Sequence, residues 1–277
     1  MFFLAFCFCG LLFQAIVDNQ SRTKMNDQPS ISVVIPCYNE QDNLRPLAEA
    51  IRKAVEPLNL SFEIIFTDDG SHDTSWTVLK ELGAADKRVR ALRLERNCGQ
   101  SAALWAGIRA AQAPVVITLD ADLQNDPGDI PKFLEALKHF DCVCGTRVES
   151  RRKGDNLVRR ISSRIANSVR NALSQETVTD AGCCFRAFRR ECADNLKFFK
   201  GMHRFLPTLF KIEGFTVAEI AIQHHPRHAG KTHYGIGNRL FSGLYDLMAV
   251  RWMKKRMFRY GIAERVNLDP KPSKQGG

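Results

Sequence analysis

None of the nine cysteines is spaced C-x-x-C with another, which argues against a redox pair of that type and against a cysteine zinc site. The odd count, and the position of Cys37, Cys142, Cys144, Cys183 and Cys184 in apolar strand-like runs, also argue against a disulfide framework. These thiols read as small buried hydrophobes of a chain kept in a reducing cytoplasm. Internal repeats and low-complexity blocks are missing as well. Only residues 1–17 approach an unbroken apolar span, and that stretch has no positive leader, contains Gln14 and is at the short end for a bilayer. Three readings of it stay open: a membrane anchor, an uncleaved signal-like segment, or an upstream start with Met25 as the true beginning. The last is preferred, because residues 25–29 are the kind of polar leader that precedes a first strand.

What is present suits a folded chain: 277 residues at 44% hydrophobic content can bury one substantial core. The formal charge of +10 points to a polyanionic partner, whether nucleic acid, a phospholipid surface or a phosphorylated substrate. The cations gather late, at Arg151, Arg152, Lys153, Arg159, Arg160, Arg164 and Arg170, then at Arg186, Arg189 and Arg190, and last at Arg251, Lys254, Lys255, Arg256 and Arg259. No zinc-finger spacing, RNP-like aromatic motif or homeodomain-like helix accompanies them, so nucleic acid is not the expected partner.

From Ile31 short β-branched runs alternate with helical patterns, which predicts an α/β fold, a mostly parallel central sheet flanked by helices. Strands are expected over 31–36, 62–67, 89–94, 115–119 and 141–145, with helices over 41–56, 73–82, 100–112 and 129–139. Beyond Arg147 a basic helix over 156–173, strands over 183–188 and 215–222 and a His- and Gly-rich loop are expected, followed by a helix over 239–258. That helix sets Leu240, Phe241, Leu244, Leu247, Met248 and Trp252 among cations, which suits an amphipathic helix in a headgroup region or a core helix. Three segments result: an apolar extension and leader over 1–28, a catalytic domain over 29–237, and the basic helix with a frayed tail over 238–277.

Each strand runs out into a polar turn. The run from Val115 to Leu119 is apolar and delivers Asp120 and Asp122 to the carboxyl edge of the sheet, where open α/β folds bind ligands and where a hard cation can bridge carboxylate and phosphate. With Gln124 these two acids form a candidate metal set for Mg²⁺ or Mn²⁺, although an ordinary strand-to-loop turn also favours aspartate. Tyr38 offers a flat face for a base. Glu40, Asp68 and Asp69 offer acceptors for ribose hydroxyls and base N–H groups, with a turn at 68–71 and Ser71 capping the next helix as the plainer reading. His224, His225, His228 and His233 lack an i, i+4 frame and are not expected to bind a transition metal.

The ordered set Val34-Ile35-Pro36-Cys37-Tyr38-Asn39-Glu40, Asp68-Asp69-Gly70-Ser71 and Asp120-Ala121-Asp122-Leu123-Gln124 resembles the inverting GT-A glycosyltransferases of the dolichyl-phosphate mannose synthase and bacterial polyprenyl-phosphate glycosyltransferase family. The similarity runs from about Ile31 to about Arg239. It implies a GT-A fold, Rossmann-like, a UDP- or GDP-sugar donor, a divalent metal and a polyprenyl-phosphate acceptor used in cell-envelope or glycan biosynthesis. It assigns Pro36, Tyr38, Glu40, Asp68, Asp69, Asn97, Gln100, Asp120 and Ala121 to the nucleotide sugar, and Asp120, Asp122 and Gln124 to the metal. A phosphate monoester acceptor is already a nucleophile near neutrality, so cations are needed to aim it: Arg147, Arg186, Arg227 and Lys231 are the candidates. Asp122, Arg147 and Asp180 form the catalytic set, with Asp180 placed where relatives hold an acid near the acceptor. Cys183 and Cys184 depart from the Ser or Thr and Gly common there. Peripheral contact with the cytoplasmic face of a membrane, or a homo-oligomer or membrane partner subunit, completes the expectation. Two alternatives remain: the same fold acting on a glycan hydroxyl with Asp180 as base, and a non-catalytic nucleotide-binding, membrane-docking protein.

Overall fold

A computed structural model describes residues 28–147, 179–180, 182–225, 237–258 and 264. The expected basic helix over 156–173, the amino-terminal apolar run, and Arg227 and Lys231 lie outside them.

The chain alternates strand and helix in its first half: β1 (Ile31–Cys37), α1 (Gln41–Val55), β2 (Phe62–Asp68), α2 (Ser75–Ala85), β3 (Val89–Arg93), α3 (Gln100–Ala110), β4 (Val115–Thr118), α4 (Ile130–Ala136) and β5 (Cys142–Thr146). Every residue of β1 and β2 is buried, as expected of parallel strands covered by helices on both faces. Alternate residues then serve opposite cores. Val33, Ile35, Ile64 and Phe66 pack with Leu44, Leu47 and Ile51 of α1 and with Phe133 and Phe185, whereas Val34 and Ile65 pack with Leu104 and Ile108 of α3 and with Phe188 and Phe210. The close approach of α3 needs Gly107, since a Cβ there would come within 2.4 Å of Val34 Cγ1.

The second half adds β6 (Arg186–Arg189), α5 (Leu206–Glu213), β7 (Val217–Ala221) and α6 (Gly237–Arg256). The seven-stranded sheet has the order β3-β2-β1-β4-β6-β5-β7. β6 lies antiparallel between β4 and β5, while all other pairings are parallel. The carboxyl ends of β1, β2, β4 and β5 therefore open on one edge, and the strand-exit turns meet there. Opposite that edge, the buried Glu63 accepts from Ser32 Oγ at 2.5 Å and from the Gln112 amide at 2.8 Å, and it pairs with Arg90.

The last helix divides its apolar side chains. Leu247 and Val250 are buried in the second core, but Tyr245, Met248 and Trp252 are 77%, 63% and 62% exposed. Leu247 and Met248, both in the apolar set expected for this helix, thus point to different surroundings. No helix among the described residues is long and apolar enough to cross a membrane.

Candidate active site

Four loops converge at the carboxyl edge, and short hydrogen bonds tie them together. After β1, Asn39 takes the left-handed conformation (φ 54°); its amide donates to Ser71 Oγ at 2.9 Å and its Oδ1 accepts from the His72 amide at 2.9 Å. Ser71 is thereby committed to the β1 loop and does not cap α2, whose N-cap is Thr74. Gly70 sits at φ 71° against the next loop, where a Cβ would meet Arg96 C at 2.7 Å and Asn97 N at 2.8 Å. Only glycine tolerates both the conformation and the contact.

The two acids of this turn have separate duties. Asp68 is fully buried, accepts from the Ser71 amide at 3.0 Å and faces Arg93 Nε at 3.2 Å. Asp69 accepts from the Cys98 and Gly99 amides, each at 2.8 Å. Burial raises its pKa, against the lowering effect of those two backbone bonds. Both carboxylates are turned inward to hold loops, while Tyr38 is half-buried, edge-on to His72 at 6.2 Å, and Asn97 is exposed. Pro36 lies buried in β1, and Glu40 accepts from Asn43 Nδ2 at 2.5 Å.

Beyond β4 the acidic pair is stacked into little space. Gln100, the first residue of α3, donates to Asp120 Oδ1 at 3.0 Å. Asp122 and Ala121 are buried, and the Asp122 carboxylate accepts from the Gln124 amide at 3.2 Å. The turn depends on Leu123 adopting φ 58°, a conformation that is uncommon for a bulky side chain and that concentrates at functional sites. Burial, and next the charge of Asp122, push the Asp120 pKa up to about 6; Arg147 and Arg186 pull it back only in part. The carboxylates of Asp120 and Asp122, near enough for the charge of one to raise the pKa of the other, offer hard oxygen donors of the kind a divalent cation takes. The chain after β7 returns over this loop: the His225 amide donates to Gln124 O at 2.8 Å, and Asn125 bridges to His224.

The basic candidates separate. Arg147 leaves the end of β5 and is bound by Asp180 in a forked pair, Nε to Oδ2 at 2.7 Å and Nη2 to Oδ1 at 2.9 Å, with the Arg147 amide at 3.3 Å from Oδ2. Burial works against its charge, but the hydrogen bonds and charge of Asp180 outweigh burial and raise its pKa. Arg186 is 1% exposed and donates to the His203 carbonyl at 2.9 Å, on the face of β6 opposite Phe185 and near Cys142, Cys144 and Cys184. Its charge nonetheless reaches Asp120, whose pKa it lowers. A strand residue flanked by two inward-facing apolar neighbours gives no sequence sign of which side its own chain takes.

Residues 32–197 match the family model described as glycosyl transferase family 2. A dodecaprenyl-phosphate galacturonate synthase of Rhizobium johnstonii is 34% identical over 236 residues, covering 83% of this chain and 69% of that protein. An undecaprenyl-phosphate 4-deoxy-4-formamido-L-arabinose transferase of Pseudomonas fluorescens is 38% identical over 220 residues, 79% of this chain and 63% of that protein. The chain thus spans about two thirds of the length of these curated relatives. Among solved structures, glucosyl-3-phosphoglycerate synthase of Mycobacterium tuberculosis, in complex with Mn²⁺, UDP and phosphoglyceric acid, superposes with a TM-score of 0.60 at 21% identity, over 84% of this chain and 81% of that one. A mannosyltransferase of Pyrobaculum calidifontis in complex with GDP-Man and Mn²⁺ superposes at 0.53 and 18% identity, over 73% and 59%.

Proposed function

The chain belongs to glycosyl transferase family 2, and from that premise we propose that it moves a sugar from a UDP- or GDP-sugar to a polyprenyl phosphate, with inversion, at the cytoplasmic face of a membrane. The observation that supports this most is the crowded pair Asp120 and Asp122 beside Gln124 at the sheet edge, with the Asp180-bound Arg147 within electrostatic reach.

In this reading Asp120, Asp122 and Gln124 hold Mg²⁺ or Mn²⁺, which when bound offsets charge on the departing nucleoside diphosphate. Tyr38 and Glu40 hold the base and ribose from the β1 loop. Asp69 acts at one remove: by gripping the Cys98 and Gly99 amides it sets the loop that presents Asn97 and starts α3 at Gln100. Gln100 in turn orients Asp120 through the 3.0 Å bond to Oδ1. Arg147 neutralises and aims the acceptor phosphate, which at neutral pH needs no base. That removes the task an Asp180 base would perform, and the forked bonding of Asp180 to Arg147 speaks against its taking a proton from a hydroxyl. Arg227 and Lys231 are further acceptor ligands in this proposal. The exposed Tyr245, Met248 and Trp252, spaced along one side of α6 with Arg251, Lys254, Lys255 and Arg256 close by, suit contact with an anionic membrane surface.

The test is a comparison of acceptors. Purified chain with Mn²⁺ and a panel of radiolabelled UDP- and GDP-sugars should label undecaprenyl phosphate and leave sugar acceptors unlabelled. Transfer to glycan hydroxyls, lost in Asp180→Asn, would establish the other reaction instead.

A further inference from the structure

We propose that Glu219, on β7, is a positioning residue for the acceptor phosphate, acting through Asp180 on Arg147; this rests on the role given to Arg147 above. Glu219 lies in register with Cys144 on β5, two residues before the strand end that carries Thr146 and leads into Arg147. Its two carboxylate oxygens accept the Thr179 amide at 2.9 and 3.0 Å, and the Asp180 amide reaches Oε1 at 3.4 Å. Thr146 Oγ1 and Thr179 Oγ1 meet at 2.9 Å beside them. Residues 179 and 180 belong to no helix or strand, and these bonds help to set where the Asp180 carboxylate stands.

That placement governs the arginine. Asp180 spends both oxygens on Nε, Nη2 and the backbone N–H of Arg147, and Gly182 allows the fork to lie close, since a Cβ there would be 3.4 Å from Nη2. A guanidinium clamped in this way loses little further side-chain freedom when it receives a phosphate, which favours binding. An acid three strands from β4 in the sheet, with β6 and β5 between, and at neither strand end, would otherwise read as a solvated sheet-edge residue. Removing it should loosen Asp180 and Arg147 while the nucleotide loops after β1, β2 and β3, which Glu219 does not touch, keep their form.

The probe is farnesyl phosphate, a soluble short-chain monophosphate, titrated calorimetrically into the full chain, with UDP or GDP plus Mn²⁺ titrated separately. In Glu219→Ala the farnesyl phosphate Kd should rise about tenfold, the loss of roughly one net charge-assisted hydrogen bond, with nucleotide affinity unchanged. Glu219→Gln, which keeps one acceptor oxygen, should recover part of the loss, and it supplies the reading if the alanine variant fails to fold. Arg147→Ala is the companion: weakened farnesyl phosphate binding in Arg147→Ala with wild-type binding in both Glu219 variants would overturn the role of Glu219 alone. Wild-type binding in Arg147→Ala would overturn the role of Arg147 on which it rests, and no binding by the unaltered chain would contradict the acceptor class. Equal loss of both ligands in the Glu219 variants would make the residue merely structural.

Discussion

At the scale of single residues, Asp120 and Asp122 are the proposed ligands of the cation, and the burial of Asp120 together with the charge of Asp122 raises the Asp120 pKa. Replacing Asp122 with alanine should reduce sugar transfer several hundredfold, the equivalent of about 3 to 4 kcal/mol of lost stabilisation of developing charge, measured as organic-phase label per unit protein. Asp120 makes a second, opposite prediction about stability. Its folded pKa of about 6 stands above the ordinary value of 3.8, so the stability it contributes is fully present below pH 3.8 and is lost as pH rises through about 6. For the cation-free chain this amounts to at most about 3 kcal/mol. Asp120→Asn should therefore raise the melting temperature at pH 7.5 without cation, remove that pH dependence and abolish transfer; a lower melting temperature in the variant at that pH would refute the assignment. The acidic pair and its neighbours could be read directly from the sequence, because motif order places side chains at strand ends. The burial of Arg186 could not, nor could the inward turn of Asp68 and Asp69, because these follow from which loop each carboxylate meets across the fold.

At the scale of elements, alternation of apolar runs announced β1 to β5 and α1 to α4 with ends displaced by a few residues. Two features escaped it. The antiparallel β6 looks no different from a parallel strand, since both of its faces are covered, and α5 (Leu206–Glu213) hides in a short run, Leu206-Pro207-Thr208-Leu209-Phe210, that is buried nearly all round. In α6 the pattern held an ambiguity that packing resolves: Leu247 and Val250 belong to the core, leaving Tyr245, Met248 and Trp252 outside. Replacing those three with serine should leave the thermal midpoint within a degree or two, because exposed side chains add little to folding, yet cut co-sedimentation with anionic vesicles severalfold. Undiminished co-sedimentation would exclude this face as the membrane contact. The Glu63 network marks the opposite end of the sheet. Glu63→Ala takes the acceptor from Ser32 Oγ and the Gln112 amide and leaves the half-exposed Arg90 its bond to the Ala110 carbonyl, and should cost about 2 kcal/mol of stability in chemical denaturation while the acceptor and donor affinities of the folded fraction stay the same.

At the scale of the whole molecule, the excess of positive charge and the acidic site answer one another. A net charge of +10 favours approach to anionic lipid and to phosphorylated substrates, while the carboxyl edge of the sheet carries Asp68, Asp69, Asp120 and Asp122, where the proposed cation would bind. In the proposed reaction Arg147, clamped by Asp180, joins donor and acceptor. The most direct test of this account is organic-phase labelling of undecaprenyl phosphate from radiolabelled UDP- and GDP-sugars by the purified chain, run with Mn²⁺, with chelator, and with Mn²⁺ restored. The account predicts label that disappears on chelation, returns with the metal and is missing in Asp122→Ala; label of equal strength in the chelated sample or in the variant would contradict it.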